Sequence, residues 1–190
     1  IIGVADMALY DALTPTDIIP LLPEHPQAVI IDANFPEETL VAISAGLPDD
    51  CRFYAAGTSA QKVHRLAPMM DRLDALVLNR AEACELAGKT GTVVELATIL
   101  SASLRPHAPV LVSNGDGPAA LASGGEVISS APPKITLANA NGAGDAMAAA
   151  FFLACLDRPE VSDDTPAGNR ELEDLLELAL AAGAAHAAAG

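Results

Sequence analysis

Short apolar runs alternate along the chain with longer segments in which apolar positions recur every three or four residues. The short runs are rich in Val, Ile and Leu, which is typical of buried strands, and the longer segments are typical of helices with one buried face. We predict single strands at 28–33, 52–56, 75–78 and 110–113, a hairpin at 119–122 and 126–129, and an extended segment at 134–137. We predict helices at 36–45, 59–70, 81–87, 93–104, 146–156 and 171–189.

The order of these segments predicts the fold class. Parallel strands need a crossover connection, usually a helix, so alternation of strand and helix predicts a mostly parallel sheet with helices on both faces. We therefore predict a three-layer α/β/α, Rossmann-like fold. No repeat or linker divides the sequence, which predicts a single domain over 1–190.

Composition and charge exclude several classes of partner. Hydrophobic residues make up 51% of the chain and aromatic residues only 3%, so the core must be built from Ala, Leu, Val and Ile. The net charge of −15 argues against a nucleic-acid partner. No apolar run reaches the roughly 20 residues of a membrane span. The three cysteines are odd in number and lack metal-ligand spacing, which indicates reduced thiols and a cytoplasmic protein.

The segment Asn141-Gly142-Ala143-Gly144-Asp145 lies between the extended segment and the apolar run that starts at Ala146. Consecutive backbone N–H groups at such a turn can point at one anion, and the helix dipole favours negative charge there. Asp145 in the first helical turn could take a proton from a hydroxyl group. This combination suits phosphoryl transfer to a hydroxyl. The alternative is an ordinary tight turn with Asp at a helix start.

The wider segment, residues 139–147, resembles the C-terminal signature of the PfkB-type (ribokinase-like) carbohydrate kinases, commonly Asp-Thr-x-Gly-Ala-Gly-Asp-Ala/Thr-Phe. Asn139 and Ala140 replace the leading Asp and Thr. An Asn there, followed by Gly-Ala-Gly-Asp-Ala-Met, is most similar to the pseudouridine kinase branch. The resemblance implies an ATP-dependent kinase. It further implies that Asp145 is the catalytic base and that the amides of Gly142, Ala143 and Gly144 form the anion hole.

A second stretch that resembles the family follows the strand at 75–78. Asn79 and Glu82 match an Asn-x-x-Glu pattern that organises Mg²⁺, water and the nucleotide phosphates in these kinases. One carboxylate acting partly through water suits Mg²⁺, which keeps several of its waters. Physical reasoning alone favours the simpler interpretation, an Asn helix cap with Glu in the first turn.

Two weaker stretches are similar to nucleotide-contact segments of the family. Ser113, Gly115 and Gly117 look like a Thr/Ser-x-Gly-x-x-Gly loop, with the second glycine one place early. Lys62 lies in a Ser-x-x-Lys stretch similar to one in pseudouridine kinases, although Ala56 and Gly57 stand where the family often has Asp-Pro. Ordinary turn glycines and a surface lysine are the alternatives.

Acceptor contacts are implied at three positions. Asp6 and Asn34 resemble places where family members meet the sugar, and Asn141 precedes the anion-hole turn. Each is also a common turn or cap residue. The resemblance spans the chain as the C-terminal two-thirds of such a kinase, so we expect the N-terminal part and most of the lid to be missing. A start at Ile1 without Met fits that expectation.

These observations predict phosphorylation of a sugar or nucleoside hydroxyl, with pseudouridine as the preferred acceptor and ATP and Mg²⁺ as cofactors. A ribokinase- or fructokinase-like enzyme and a catalytically silent binding relative are the alternatives. A monovalent cation and a homodimer are left open. Gly88-Lys89-Thr90 is no P-loop, because Ala83 stands where its first glycine is needed. No Gly-x-Gly-x-x-Gly opens a strand–helix unit, which argues against a dinucleotide enzyme.

Overall fold

One six-stranded sheet organises the computed structural model, which describes residues 8–158 and 168–189. The strands lie in chain order across the sheet. They are β1 (Ala28–Asp32), β2 (Arg52–Ala56), β3 (Ala75–Asn79), β4 (Val110–Asn114), β5 (Gly117–Ser123) and β6 (Glu126–Ser130). The pairs β1–β2, β2–β3 and β3–β4 are parallel, and β5 and β6 continue the sheet in antiparallel fashion.

Helices supply the crossovers that the parallel strands require. The α-helices are α1 (Ala8–Asp11), α2 (Pro15–Ile18), α3 (Glu37–Gly46), α4 (Arg80–Ala87), α5 (Val93–Ser101), α6 (Ala143–Leu156) and α7 (Asn169–Ala189). Two 3-10 helices lie at Ile19–Leu21 and Val63–Arg72. The β5–β6 hairpin turns at Gly124 and Gly125, whose φ angles of 59° and 87° suit a tight two-residue loop.

A hydrophobic core lies on each face of the sheet, which confirms the three-layer prediction. One core joins alternate strand residues to α3, α5 and the Val63–Arg72 helix, with Leu40, Leu66 and Leu96 fully buried. The other joins the opposite strand residues to α6 and α7, with Phe151 and Leu172 fully buried. Aliphatic residues dominate both cores, as the composition predicted.

Several predicted elements differ from the structure. The predicted α-helix at 59–70 is a 3-10 helix, Val63–Arg72, and it contains Pro68, which has no N–H for an α-helical ladder. The extended segment at 134–137 is irregular and pairs with no strand of the described residues. The helix predicted at 93–104 ends at Ser101, and α6 begins at Ala143 rather than Ala146. The short helices before residue 22 had no prediction.

Candidate active site

The strands β1 to β4 end along one edge of the sheet, which we call the carboxyl edge. Register places Asp32 beside Ala56, and Asn79 beside Ser113, at that edge. Ligands of open α/β sheets bind outside the carboxyl ends of the strands, because the helix starts and connecting loops meet there. The topology therefore brings the predicted residues Asn79 and Ser113 together although they are 34 positions apart in the sequence.

The orientation of α6 brings its first turn to the same edge. At its far end Asp157 lines one cavity with Gln27 and Arg52, at the amino ends of β1 and β2. Midway, Phe152 stacks on Tyr54 with ring centroids 5.3 Å apart. The helix has 14 residues, about 21 Å at 1.5 Å per residue, against about 17 Å for a five-residue strand. Asp145 therefore lies at the carboxyl edge.

The turn before α6 has the geometry of an anion-binding helix start. Gly142 is the N-cap residue with φ +81°, a conformation that favours glycine, and its carbonyl accepts the first helical hydrogen bond from Ala146 N at 2.9 Å. The first N–H groups of a helix have no intrahelical acceptor. The Ala143 amide makes a 3.3 Å bond to the Ala140 carbonyl. Of the three amides predicted to bind an anion, this one therefore has a local partner.

Space in front of the first turn of α6 is open. Gly144 and Asp145 are both exposed, and a Cβ added at Gly144 would meet no atom of the described residues within 4 Å, apart from its own helix. The positive φ of this turn is at Gly142, and Gly144 has helical backbone angles. The exposed carboxylate and the open glycine beside it leave room for a ligand at the helix N-terminus.

Asn79 and Glu82 form a reciprocal capping box at the start of α4. Asn79 Oδ1 accepts from Glu82 N at 3.0 Å, and Asn79 N donates to Glu82 Oε2 at 2.9 Å. Glu82 is only 3% exposed, and burial raises the pKa of its carboxyl group while the Asn79 hydrogen bonds oppose that rise. The structure thus shows the capping interaction, and a metal role for the pair remains a prediction.

Gly57 lies directly against the Glu82 carboxylate. A Cβ on Gly57 would overlap Glu82 Oε2, and the Gly57 amide donates to the Val77 carbonyl at 2.8 Å. A larger residue here would have to displace the carboxylate. A glycine at position 57, where the family often has Pro, therefore leaves the space that the Glu82 carboxylate occupies.

The β4–β5 turn carries the predicted nucleotide loop. Gly115 has φ +62°, and Gly117 is the first residue of β5 with Asn114 as its register partner. The half-buried Ser113 hydroxyl donates to the Leu78 carbonyl at 3.5 Å. A donor at that distance makes only a weak bond.

Two other predicted residues, Asn34 and Lys62, follow β1 and β2 at the carboxyl edge. Lys62 Nζ lies 3.4 Å from Asp11 Oδ1, and Arg65 makes a closer pair with Asp11 at 2.8 Å. The structure therefore shows Lys62 in an ion pair. Arg65 also donates to the Asn34 carbonyl at 2.8 Å.

Asn34 does not cap α3, whose N-cap residue is Pro36. Its backbone N–H and its side-chain amide both donate to the Asp32 carboxylate, at 2.9 and 2.8 Å. Asn141 is exposed, and its backbone N–H donates to Asn139 Oδ1 at 3.0 Å. Asp6 lies outside the described residues.

One contact at this site had no prediction. His186 Nε2, in the last turn of α7, lies 3.0 Å from the Asn141 carbonyl oxygen. The two residues are 45 positions apart, so no local pattern could have identified the contact. Within residues 8–158 and 168–189, no group of three or more His, Cys, Asp or Glu side chains is arranged to hold a metal ion. The described helices include none with the length and apolar character needed to span a bilayer.

Several solved kinases are similar to this chain. A carbohydrate kinase from Agrobacterium tumefaciens is 26% identical over 97% of the chain, with a TM-score of 0.68. An aminoimidazole riboside kinase from Salmonella enterica, complexed with aminoimidazole riboside and an ATP analog, is 15% identical over 93% of the chain, with a TM-score of 0.68. A mutant of phosphofructokinase-2 from Escherichia coli is 18% identical over 92%, with a TM-score of 0.71. No curated protein matches the sequence.

The chain spans only part of these kinases. It covers 56% of the Agrobacterium kinase, 61% of the Salmonella kinase and 54% of the Escherichia coli kinase. The family model described as "pfkB family carbohydrate kinase" matches residues 27–189, which include all six strands and the turn before α6. With this match and the α/β sheet that the solved kinases share, the chain belongs to the pfkB family of carbohydrate kinases.

Proposed function

We propose that the protein transfers the γ-phosphoryl group of ATP to a hydroxyl of a sugar or nucleoside. The observation that carries this proposal is the first turn of α6. An exposed carboxylate, Asp145, stands beside Gly144 at the carboxyl edge of the sheet, and a Cβ on Gly144 would meet no described residue outside its own helix within 4 Å. Phosphoryl transfer needs little more from a protein than positioning and charge stabilisation, and this turn can supply both.

Each group in the turn has a defined task in the proposed reaction. Asp145 accepts the proton of the attacking hydroxyl as the new P–O bond forms and the bond to the ADP leaving oxygen breaks. The amides of Gly142, Ala143 and Gly144 face the negative charge on the transferred group. The Ala143 amide would exchange its long bond to Ala140 for a phosphate oxygen. The positive end of the α6 dipole adds to the same effect.

The residues of β3, β4 and α4 fit a nucleotide and Mg²⁺. Asn79, Ser113, Gly115 and Gly117 form the ATP side of the carboxyl edge in this proposal. Glu82 Oε2 accepts from Asn79 N in the capping box, and in this proposal Glu82 Oε1 accepts from a magnesium-bound water. Mg²⁺ neutralises phosphate charge when bound, and a site with a single carboxylate suits its preference for retained waters. Lys62 would join the site only by leaving its Asp11 ion pair.

We propose pseudouridine as the preferred acceptor, with Asp6, Asn34 and Asn141 near it. The support is Asn139 in the signature, Met147 after Ala146, and the Ser59 to Lys62 stretch. That the solved Salmonella kinase is complexed with a riboside and an ATP analog also supports a nucleoside acceptor and ATP. A cytoplasmic location fits the absence of paired cysteines among the described residues. A monovalent cation and a homodimer stay predictions.

A panel of acceptors tests the proposal. The full-length protein is incubated with ATP, Mg²⁺ and pseudouridine, ribose, fructose or adenosine, and ADP release is measured. We expect the highest kcat/KM with pseudouridine, because a site that hydrogen-bonds a base edge rejects analogues that leave its polar groups unpaired. Preference for ribose or fructose would refute pseudouridine as the acceptor and leave the proposed kinase activity standing. ATP binding without turnover of any acceptor would favour a silent binding relative.

A further inference from the structure

The last turn of α7 holds the loop that leads into the anion-hole turn. The Ala187 carbonyl accepts hydrogen bonds from Ala138 N at 2.9 Å and from Asn139 N at 3.1 Å. One residue earlier, His186 Nε2 lies 3.0 Å from the Asn141 carbonyl oxygen. Three contacts from two neighbouring residues therefore fix residues 138–141, immediately before Gly142.

The chemistry of the His186 contact defines its direction. A carbonyl oxygen can only accept, so the ring must carry a hydrogen on Nε2 and donate it. Both the neutral Nε2–H tautomer and the imidazolium can do so, and the contact does not depend on charge. Its effect is to hold the peptide group between Asn141 and Gly142 in one orientation.

The ring of His186 also occupies the space beside Gly142. A Cβ on Gly142 would fall 2.8 Å from His186 Nε2, and Gly142 has φ +81°. The helices approach closely enough for this contact because α7 has Gly183 opposite α6. A Cβ on Gly183 would fall 3.0 Å from the Ala143 carbonyl oxygen. Two glycines and one histidine thus form a packed contact behind the turn.

We propose that His186 is a positioning residue for the anion hole. It holds the Asn141 carbonyl so that Gly142 keeps its positive φ and the amides of Gly142 and Gly144 keep their direction. This inference rests on the proposed kinase function of the same turn. Misplacing a reacting group by about 1 Å can cost a factor of about 100 in rate, so a loosened turn is expected to act on turnover.

Two substitutions and one control test the role in the full-length protein. His186→Ala removes the donor, and His186→Gln restores an amide N–H near the position of Nε2. Glu177→Ala changes an exposed residue on the same helix. We expect His186→Ala to lower kcat about tenfold with KM for ATP within about threefold, in line with loss of a transition-state interaction. His186→Gln is expected to stay within about threefold of the unmodified protein, and Glu177→Ala to match it.

Hydrogen exchange provides a readout that does not depend on catalysis. The Ala146 amide donates to the Gly142 carbonyl, so its exchange reports opening of the turn. In the nucleotide-free protein we expect His186→Ala to speed this exchange about tenfold and His186→Gln to restore protection. Unchanged exchange in His186→Ala, or no rescue by Gln, would overturn the positioning role. An inactive unmodified protein would refute the proposed kinase function, and the exchange measurement would still decide the role of His186.

Discussion

Glu82 caps α4 from a buried position, although the capping role alone does not require burial. It is 3% exposed, and burial raises the pKa of its carboxyl group. Glu95 performs the same capping task at the start of α5, where it accepts from Thr92 N at 2.8 Å, but it is exposed. The hydrogen bonds from Thr92 lower the pKa of Glu95. The two capping glutamates therefore have opposite pKa shifts: burial dominates at Glu82, and the capping hydrogen bonds dominate at Glu95.

Glu82→Gln is expected to gain stability relative to the unmodified protein as pH rises. A folded-state pKa above the unfolded value of about 4.3 means that the folded state holds the proton more tightly. The contribution of Glu82 to stability is therefore greatest at low pH and falls as Glu82 ionises, a change that Gln cannot show. Thermal unfolding without nucleotide or Mg²⁺, between about pH 4 and pH 8, measures the difference.

Glu95→Gln is the matched control and has the opposite sign. Its lowered pKa contributes stability above the unfolded value, which is lost as pH falls, so the variant should lose stability relative to the unmodified protein as pH rises. In the active protein, Glu82→Gln should raise the Mg²⁺ concentration at half-maximal rate and Glu95→Gln should not. A Glu82→Gln stability difference that does not change with pH would contradict the account of its burial.

At the scale of elements, the start of α6 combines one glycine at a positive φ, Gly142, with one in helical conformation, Gly144. Gly142 has a positive φ, and the His186 ring occupies the space that a side chain at Gly142 would need. Gly144 lies in the helix, and a Cβ there would meet no described residue outside that helix. Structure alone explains Gly142. The described residues give no structural reason for a glycine at position 144, and a bound phosphate would supply one.

Gly142→Ala and Gly144→Ala should therefore differ in stability and agree in activity. We expect Gly142→Ala to cost about 1–2 kcal/mol, because Cβ is disfavoured at positive φ. Gly144→Ala should leave stability unchanged or raise it by up to about 1 kcal/mol, because Ala replaces Gly within a helix. Both should lower kcat/KM for ATP. Denaturant unfolding and ADP release measure the two effects, and full activity in Gly144→Ala would remove Gly144 from the anion hole.

The local sequence pattern predicted most helices and strands. It failed where contacts between distant residues determine the conformation. The strands β1 to β6 and the cap at Asn79 followed from apolar runs and capping chemistry, which are written in neighbouring residues. The pattern at 134–137 predicts an extended strand, but no strand among the described residues pairs with it. Strand pairing depends on residues that are distant in the sequence. At 59–70 the periodicity was helical, while Pro68 favoured the tighter 3-10 form over a continuous α-helix.

At the scale of the whole molecule, the candidate site is assembled by topology. Only the segment from Gly142 to Asp145 could be identified as a site from adjacent residues. Parallel pairing brings Asn79 beside Ser113, and the direction of α6 brings Asp145 to the same edge. The contact between His186 and Asn141 could not be predicted, because it forms only when α7 packs against α6. The chain covers 56% of the length of the Agrobacterium kinase.

The most direct test of the central claim is the kcat of Asp145→Asn in the full-length protein, measured by ADP release with saturating ATP and the best acceptor of the panel. Asp157→Asn, at the exposed far end of the same helix, is the control. Loss of a positioned base is expected to lower kcat at least ~100-fold, while ATP affinity stays within about threefold because the anion-hole amides remain. Asp157→Asn should keep full activity. An Asp145→Asn kcat within about threefold of the unmodified protein would contradict the account.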